Sequence, residues 1–355
     1  MLRIKGGSRV AMGSLPATDP VAAVTTQLSA FPEIPSWPQL PRKSPKEKMI
    51  SQGLGGLPGL TWPSPEQALW TVPPADLQEV LEELKSENEE NRLERAALKP
   101  EEAAGFYAFL REAGRSSFGT VSAVKGQVAG PVTLGLSIQD ETGKPLLASK
   151  RGMEILREYL LMQARWQAKK LATLGKPVVF FLDEPGVGPG LNLEKDGLTW
   201  KDVQGWFAGI LEPLQEEGIL TGIHTCAAGP WDWALESPAE IFHFDAYRYL
   251  PQILDSAKAL GSFFNKGGMV AWGMVPTSMD RGVYSDPAML LHRWVDLQHD
   301  LVKKGVDAEA MKERSLLSTS CGLGNSSAGV SEEALRCLGA FSSLWKMSAH
   351  EDFKT

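Results

Sequence analysis

From about residue 120 onward, short runs of β-branched and aromatic residues alternate with stretches whose apolar residues recur every three or four positions. The first such spacing, Ile155, Tyr159, Met162 and Trp166, predicts an amphipathic helix. Gly175 followed by Pro177 ends it. PVVFFLDEP (177–185) then reads as a buried strand running into a loop. Thr199 with Asp202 three positions on predicts the start of a second helix, with Val203, Phe207, Ile210 and Leu214 on its face. Pro213 should kink that helix near its end. ILTGIHTC (219–226) and IFHFDAY (241–247) predict two further strands, residues 251–260 a short helix, and GMVAWGMV (268–275) another strand. Pro287 opens a long helix at its first turn, SLLSTSCGLG (315–324) is the last strand, and Ser331 is expected to cap a final helix.

Alternation of this kind implies an α/β fold with parallel strands and right-handed crossovers. RVAMGS (9–14), IPSWPQLP (34–41) and SAVKGQVAG (122–130) at the front bring the expected strands to eight. Eight predicts a closed (β/α)8 TIM barrel rather than an open sheet. The reading is a single catalytic barrel domain over residues 1–355, with a mostly helical insertion at about 50–118 after the second strand. Within that insertion, Asp76 to Glu102 holds ten acids and four bases around a thin stripe of Leu77, Leu81 and Leu84, which reads as a solvated helix face. The proline-spaced stretch 31–45 is expected as a rigid loop over one barrel end and part of the second strand. No repeat of the solenoid or propeller kind is present.

Composition narrows the class. The chain has 355 residues, 43% hydrophobic and 22% charged, the mix of a globular protein with a sizeable core. A net charge of −7 argues against a nucleic-acid partner, whose phosphates demand a basic surface. The apolar runs are far short of the ~20 residues of a membrane span, and the first residues lack the apolar stretch of a signal peptide. Three cysteines cannot staple a chain of this length, so a reduced, cytoplasmic protein is expected, with any cysteine role a chemical one.

In barrels of this kind the reactive groups project from the C-terminal ends of the strands. Ser14 stands after the first, GPVT (130–133) after the third, Asp183 and Glu184 after the fourth, His224 and Cys226 at the fifth, Asp245 at the sixth and Cys321 at the eighth. His224 and Cys226 are two apart, and side chains two apart on a strand point the same way. Imidazole beside thiolate is half of a zinc site; Cys321 and Asp245 would complete it, and Cys2His with an oxygen suits Zn2+ by softness and geometry. The alternative is that HTC is only a core strand end and Cys321 a small buried side chain. Cys337 belongs to the apolar face of the last helix. GVGPG (186–190) lacks the strand–turn–helix context of a dinucleotide loop and reads as a loop. His243 shares a face with Asp245 and is either a neighbour of the metal or a satisfied interior histidine.

Together GSLPATDP (13–20), GPVT (130–133), FLDEPG (181–186), HTC (224–226), FHFDAY (242–247) and SCGLG (320–324) resemble the catalytic barrel of cobalamin-independent methionine synthase. That family shares a superfamily with uroporphyrinogen decarboxylase and the zinc methyltransferases of methanogens. The resemblance covers most of the chain and is weakest over 31–118. It implies zinc ligands at His224, Cys226 and Cys321, with Asp245 at the place of the family's fourth ligand, a glutamate. It implies further that Ser14 and Asp183 hold the amino-acid end of homocysteine and that Asp183 and Glu184 are the catalytic carboxylates. The activity implied is methyl transfer to a thiol, giving methionine.

The chemistry is consistent with that implication. A free thiol, with a pKa of about 8.5, is mostly protonated at neutral pH, and ligation to zinc deprotonates it. A zinc rich in thiolate donors holds a sulfur without quenching its nucleophilicity. Two departures bear on the methyl donor. The preceding barrel that helps the two-barrel enzymes hold folate is not expected within these 355 residues, and the stretch 271–280, AWGMVPTSMD, lacks the family's histidine after the seventh strand. An amine nitrogen leaves only when protonated, whereas Co(I) of a corrinoid leaves without a proton. A methyl-corrinoid donor, presented by a corrinoid protein, is therefore expected. Coenzyme M or another thiol stays open as acceptor, since Arg42 and Lys43 could hold a sulfonate. A uroporphyrinogen-decarboxylase-like enzyme would leave HTC and SCG idle, and a non-catalytic corrinoid-binding module predicts no bound metal.

Overall fold

A computed structural model describes residues 4–64, 67–73, 75–114, 119–278 and 286–348. Its nine strands are β1 (Leu60–Ser64), β2 (Gln67–Trp70), β3 (Val124–Ala129), β4 (Ile138–Asp140), β5 (Val178–Asp183), β6 (Leu220–Thr225), β7 (Ile241–Phe244), β8 (Met269–Val275) and β9 (Ser315–Thr319). Six of them form a parallel sheet in the order β3-β5-β6-β7-β8-β9, with helices between successive strands. In-register pairing sets Ala129 beside Asp183, Asp183 beside His224 and His224 beside His243. The C-terminal strand ends therefore stand in one row.

Both faces of this sheet are buried, which is why its strands read as unbroken apolar runs. On one face, Val179 and Phe181 of β5, Ile241 of β7, Ala271 of β8 and Leu316 of β9 pack with Val10, Met12, Ile34 and Ala123. On the other, Phe180, Leu182, Ile223, Phe242, Phe244, Val270 and Trp272 pack against the helices Lys150–Ala172, Trp200–Glu216 and Pro287–Lys303. Alternation along β5 and β7 carries Asp183 onto the face of Val179 and Phe181, and His243 onto that of Ile241.

The expected first two strands differ from the other six. Residues 9–14 and 34–39 are extended but pair through isolated parallel bridges: Arg9 with Leu317, Val10 with Ile34, Ser14 with Gln39, and Ser36 with Lys125. The hydrogen-bonded sheet itself has six strands and is not closed. The composition of the two segments accounts for this. Pro35 and Pro38 offer no N–H to a ladder, and Gly13, at φ 120°, leaves the strand conformation at the end of the first.

The region after residue 50 holds the helices Leu77–Ser86, Glu89–Arg95 and Ala104–Ala113 together with β1 and β2. β2 pairs antiparallel with β1 and parallel with β4, forming a separate three-stranded sheet. Leu77, Leu81 and Leu84 are buried in the same core as the main-sheet helices, and the charged residues between them face outward. Two helix expectations are corrected. The last helix runs from Ala328, with Ser327 accepting from Val330 N, so Ser331 lies buried inside it rather than at its cap. The short helix expected at 251–260 is split into a 3-10 turn, Leu250–Leu254, and a helix, Ala257–Asn265. Among the described residues no helix is long and apolar enough to cross a membrane.

Candidate metal centre

β6 ends in His224 and Thr225, with Cys226 the next residue, and Cys321 follows β9 by two. The ligand atoms of His224, Cys226 and Cys321 all lie within 4.8 Å of one another. The Cys321 sulfur is 3.7 Å from His224 Nε2. In a tetrahedral zinc site, with Zn–S of about 2.3 Å and Zn–N of about 2.1 Å, a sulfur and a nitrogen stand about 3.6 Å apart. The donors present fit a zinc ion in kind and in spacing. Burial holds the His224 imidazole at a pKa of about 3, so it is neutral and able to ligate. A hydrogen bond from Cys321 lowers the Cys226 thiol, while the same contact and burial push Cys321 well up.

The loop after β9 is shaped around Ser14. Leu323 N donates to Ser14 O and Gly324 N to Ser14 Oγ. A Cβ at position 322 would come within 2.1 Å of Ser14 Oγ, so a side chain there would push that hydroxyl from its contact with Gly324 N. Ser14 thereby stands beside the ligand-bearing loop.

Asp183 is 5% exposed, and its Oδ1 is buried with no hydrogen-bond partner among the described residues. Burial pushes its carboxyl up to about 7, opposed by the Lys125 ammonium. Lys125 is fully buried; burial draws it down to about 8, and Asp183 acts against that. The ammonium donates to Met12 O and Gln127 Oε1 and lies 4.7 Å from the centre of the Phe181 ring. This lysine was missed in the sequence. The signal was there: Lys125 and Gln127 are polar residues two apart in an otherwise apolar strand, hence on one face.

The other two carboxylates have different occupations. Glu184 is 0% exposed and accepts from Val132 N (2.9 Å), Thr133 N (2.8 Å) and Thr133 Oγ1 (2.6 Å). It holds the N-terminus of the helix Pro131–Ser137, whose Pro131 supplies no donor of its own. Gly130 is glycine because a Cβ there would meet Glu184 at 2.3 Å. Burial sets the Glu184 carboxyl at about 7 against those hydrogen bonds. Asp245 was expected among the metal ligands, but the structure leaves it outside the group of three. Its Oδ1 accepts from Arg248 N, capping the turn Ala246–Tyr249, and Oδ2 is 4.0 Å from Arg248 Nε. The carboxyl is close enough to raise the Cys226 thiol electrostatically. Burial raises its own pKa to about 6.

His243 is fully buried, with Nδ1 2.6 Å from His224 Nδ1 and Nε2 3.0 Å from Thr319 O. Cys337 is buried in the last helix, away from this group. The 186–190 loop packs against β6, where Thr225 Oγ1 donates to Val187 O.

No family model and no curated protein matches the sequence. Among solved structures, the chain is similar to a B12-independent methionine synthase from Shewanella sp. W3-18-1 in complex with selenomethionine, with a TM-score of 0.59 at 13% identity, covering 97% of this chain and 98% of that one. The likeness is one of fold over nearly the whole of both chains. An endo-beta-1,4-mannanase double mutant of Cellulomonas fimi aligns over 70% of this chain and 58% of its own at TM-score 0.41 and 17% identity.

Proposed function

We propose that this protein is a zinc-dependent methyltransferase that moves a methyl group from a methyl-corrinoid to a thiol, with homocysteine as the acceptor and methionine as the product. One observation carries the reading: an imidazole nitrogen and two sulfurs, from residues 97 positions apart at the extremes, share one point at the C-terminal edge of the sheet. The fold likeness to a methionine synthase supports it. In this reading the six-stranded sheet and the two bridge-paired segments make up the circuit of a (β/α)8 barrel, in a single catalytic domain.

His224, Cys226 and Cys321 would hold the zinc, which when bound keeps a substrate thiol deprotonated at neutral pH. Asp183 receives the substrate's ammonium group. A buried carboxylate oxygen without a partner costs about 1–3 kcal/mol, and an ammonium satisfies it while cancelling its charge. Lys125, behind it, favours the ionised carboxylate that this contact requires. Ser14 and the glycine loop shape the rest of the amino-acid pocket. A methyl-corrinoid donor would keep the electron pair of its C–Co bond as the thiol sulfur takes the methyl group, so no residue of this chain would need to protonate the leaving group. The absence of histidine from residues 271–280 supports a donor of that kind. A corrinoid protein is the corresponding partner.

A sulfonate-bearing thiol finds less support. Arg42, the residue suited to a sulfonate, already donates to Gly324 O and Asn325 O. The test is methyl transfer from methylcobalamin by zinc-loaded protein, with homocysteine and coenzyme M in competition. Methionine is the expected product; its absence removes the substrate assignment. Cys226→Ser should lose the metal, and a variant that keeps a full zinc equivalent would refute the ligand assignment.

A further inference from the structure

The contact between His224 and His243 determines where each proton sits. Thr319 O is a carbonyl oxygen and can only accept, so the His243 nitrogen 3.0 Å from it, Nε2, carries a hydrogen. A neutral imidazole with a protonated Nε2 has a bare Nδ1. That bare atom faces His224 Nδ1 at 2.6 Å. Two bare nitrogens at this distance would repel, so His224 Nδ1 carries the hydrogen and donates it. Both rings are enclosed, His224 at 5% exposure and His243 at 0%, and such burial opposes a second, charging proton on either. What remains is His224 Nε2, bare, and this is the atom 3.7 Å from the Cys321 sulfur.

We propose that His243 is a positioning residue that fixes His224 in the Nδ1–H tautomer, so that its ligating lone pair is set toward the two sulfurs before any ion arrives. The proposal rests on the metal reading above and extends it. Ligating histidines ordinarily donate their other N–H to a carboxylate, a carbonyl or water. Here the acceptor is a second, neutral imidazole, itself anchored on the last carbonyl of β9. The relay thus ties the β6 ligand to the strand that carries Cys321. Moreover, it adds no charge to a site that already holds two thiols.

The metal-free protein gives the first readout. Nitrogen-15 NMR of labelled histidine should show His224 protonated at Nδ1 and His243 at Nε2. In His243→Phe, which fills the space but accepts nothing, His224 should shift toward the Nε2–H form, and zinc affinity measured against a chelator should fall about 10–100-fold. His243→Asn, whose amide oxygen can stand in for Nδ1, should keep the Nδ1–H form and most of the affinity. A parent protein with His224 protonated at Nε2 overturns the proposal. So does a His243→Phe variant with unchanged tautomer and affinity. Should His243→Phe fail to fold, the parent spectrum and the Asn variant still decide. The expected tautomers in a parent that binds no zinc would uphold the relay and remove the metal reading instead.

Discussion

Glu184→Gln separates a chemical role for this carboxylate from the one its contacts show. At pH 8, above its pKa of about 7, the parent side chain is a carboxylate. Its three donors come from the first turn of the helix Pro131–Ser137 and from the Thr133 hydroxyl. Glutamine keeps one oxygen and turns an NH2 toward donors that need an acceptor. At least one buried N–H is then orphaned, at about 1–3 kcal/mol, and the bonds that remain lose their charge-assisted part, about 1 kcal/mol more. Relief from burying a charge returns some of this. The expected net loss is about 1–3 kcal/mol of folding stability once that relief is subtracted, read as a lower urea midpoint with the slope unchanged.

Thr133→Val removes one of the same donors and also the acceptor of Gly186 N, so its cost should overlap that of Glu184→Gln rather than add to it. Zinc content should stay near one ion per chain in both variants. The reasoning fails if Glu184→Gln unfolds at the parent's urea midpoint yet loses methyl transfer by orders of magnitude. That pairing would put Glu184 in the chemistry and its hydrogen bonds in a minor part.

Asp245→Asn should lower zinc affinity by less than the about 10–100-fold of a group bonded to a ligand, since its carboxyl accepts from its own following turn; a loss of bound metal equal to that of Cys226→Ser would make Asp245 a ligand. Asp183→Asn keeps shape and removes charge, so the KM for homocysteine should rise about 10–150-fold, the worth of one charge-assisted hydrogen bond of about 1.5–3 kcal/mol. A thiol without an amino group should be unaffected, and an equal rise for both would count against the ammonium contact. The neutral burial of His224 sets a pH dependence in the metal-free protein. Its folded pKa, about 3, lies below the unfolded 6.5, so the unfolded chain takes up the proton first and stability is lost as pH falls from about 6.5 toward 3. Asp183 and Glu184, raised to about 7, act in the opposite sense. The measurement is therefore a difference: denaturation of parent against His224→Gln at several pH values, with the parent losing about 1.4 kcal/mol more than the variant for each pH unit of fall in that window. Parallel slopes would refute it.

The main sheet was legible because both its faces are buried, which turns each strand into a short apolar run bounded by turn signals. PVVFFLDEP, ILTGIHTC and SLLSTSCGLG needed nothing more. HTC and SCG were legible for a related reason: i and i+2 on a strand share a face, and the strand ends converge. The bridge-only pairing of 9–14 and 34–39 was not legible as such, because proline and glycine weaken a ladder without preventing extension. β1 and β2 were hidden among polar residues, since a small sheet on the surface needs only alternate positions buried. The carboxylates show the sharper limit. DEP and FDA place acids at strand ends, but whether an acid meets a substrate or a helix N-terminus depends on the next backbone segment, and the sequence does not display that. Glu184 faces the GPVT turn from 51 residues away, and Asp245 reaches only its own following turn.

On the proposed function, these separate occupations bear on what the mouth of the sheet would select. Among the described residues, Glu184 and Asp245 direct oxygens at backbone N–H groups, whereas Asp183, of these three strand-end acids, keeps a buried oxygen without a partner. The centre beside it offers a neutral imidazole and two sulfurs. With both sulfurs ionised, the donor charge matches a divalent ion. If the proposed function holds, an incoming thiol would be met by a metal position without net excess charge and by one carboxylate with an oxygen free to take a cation. That carboxylate lies beside the His224 strand, in register with it. A molecule bearing both a thiol and an ammonium answers both demands at once, whereas a sulfonate would face Asp183 with like charge. On the proposed function, a preference for an amino-acid thiol would follow from which acid was left unpaired.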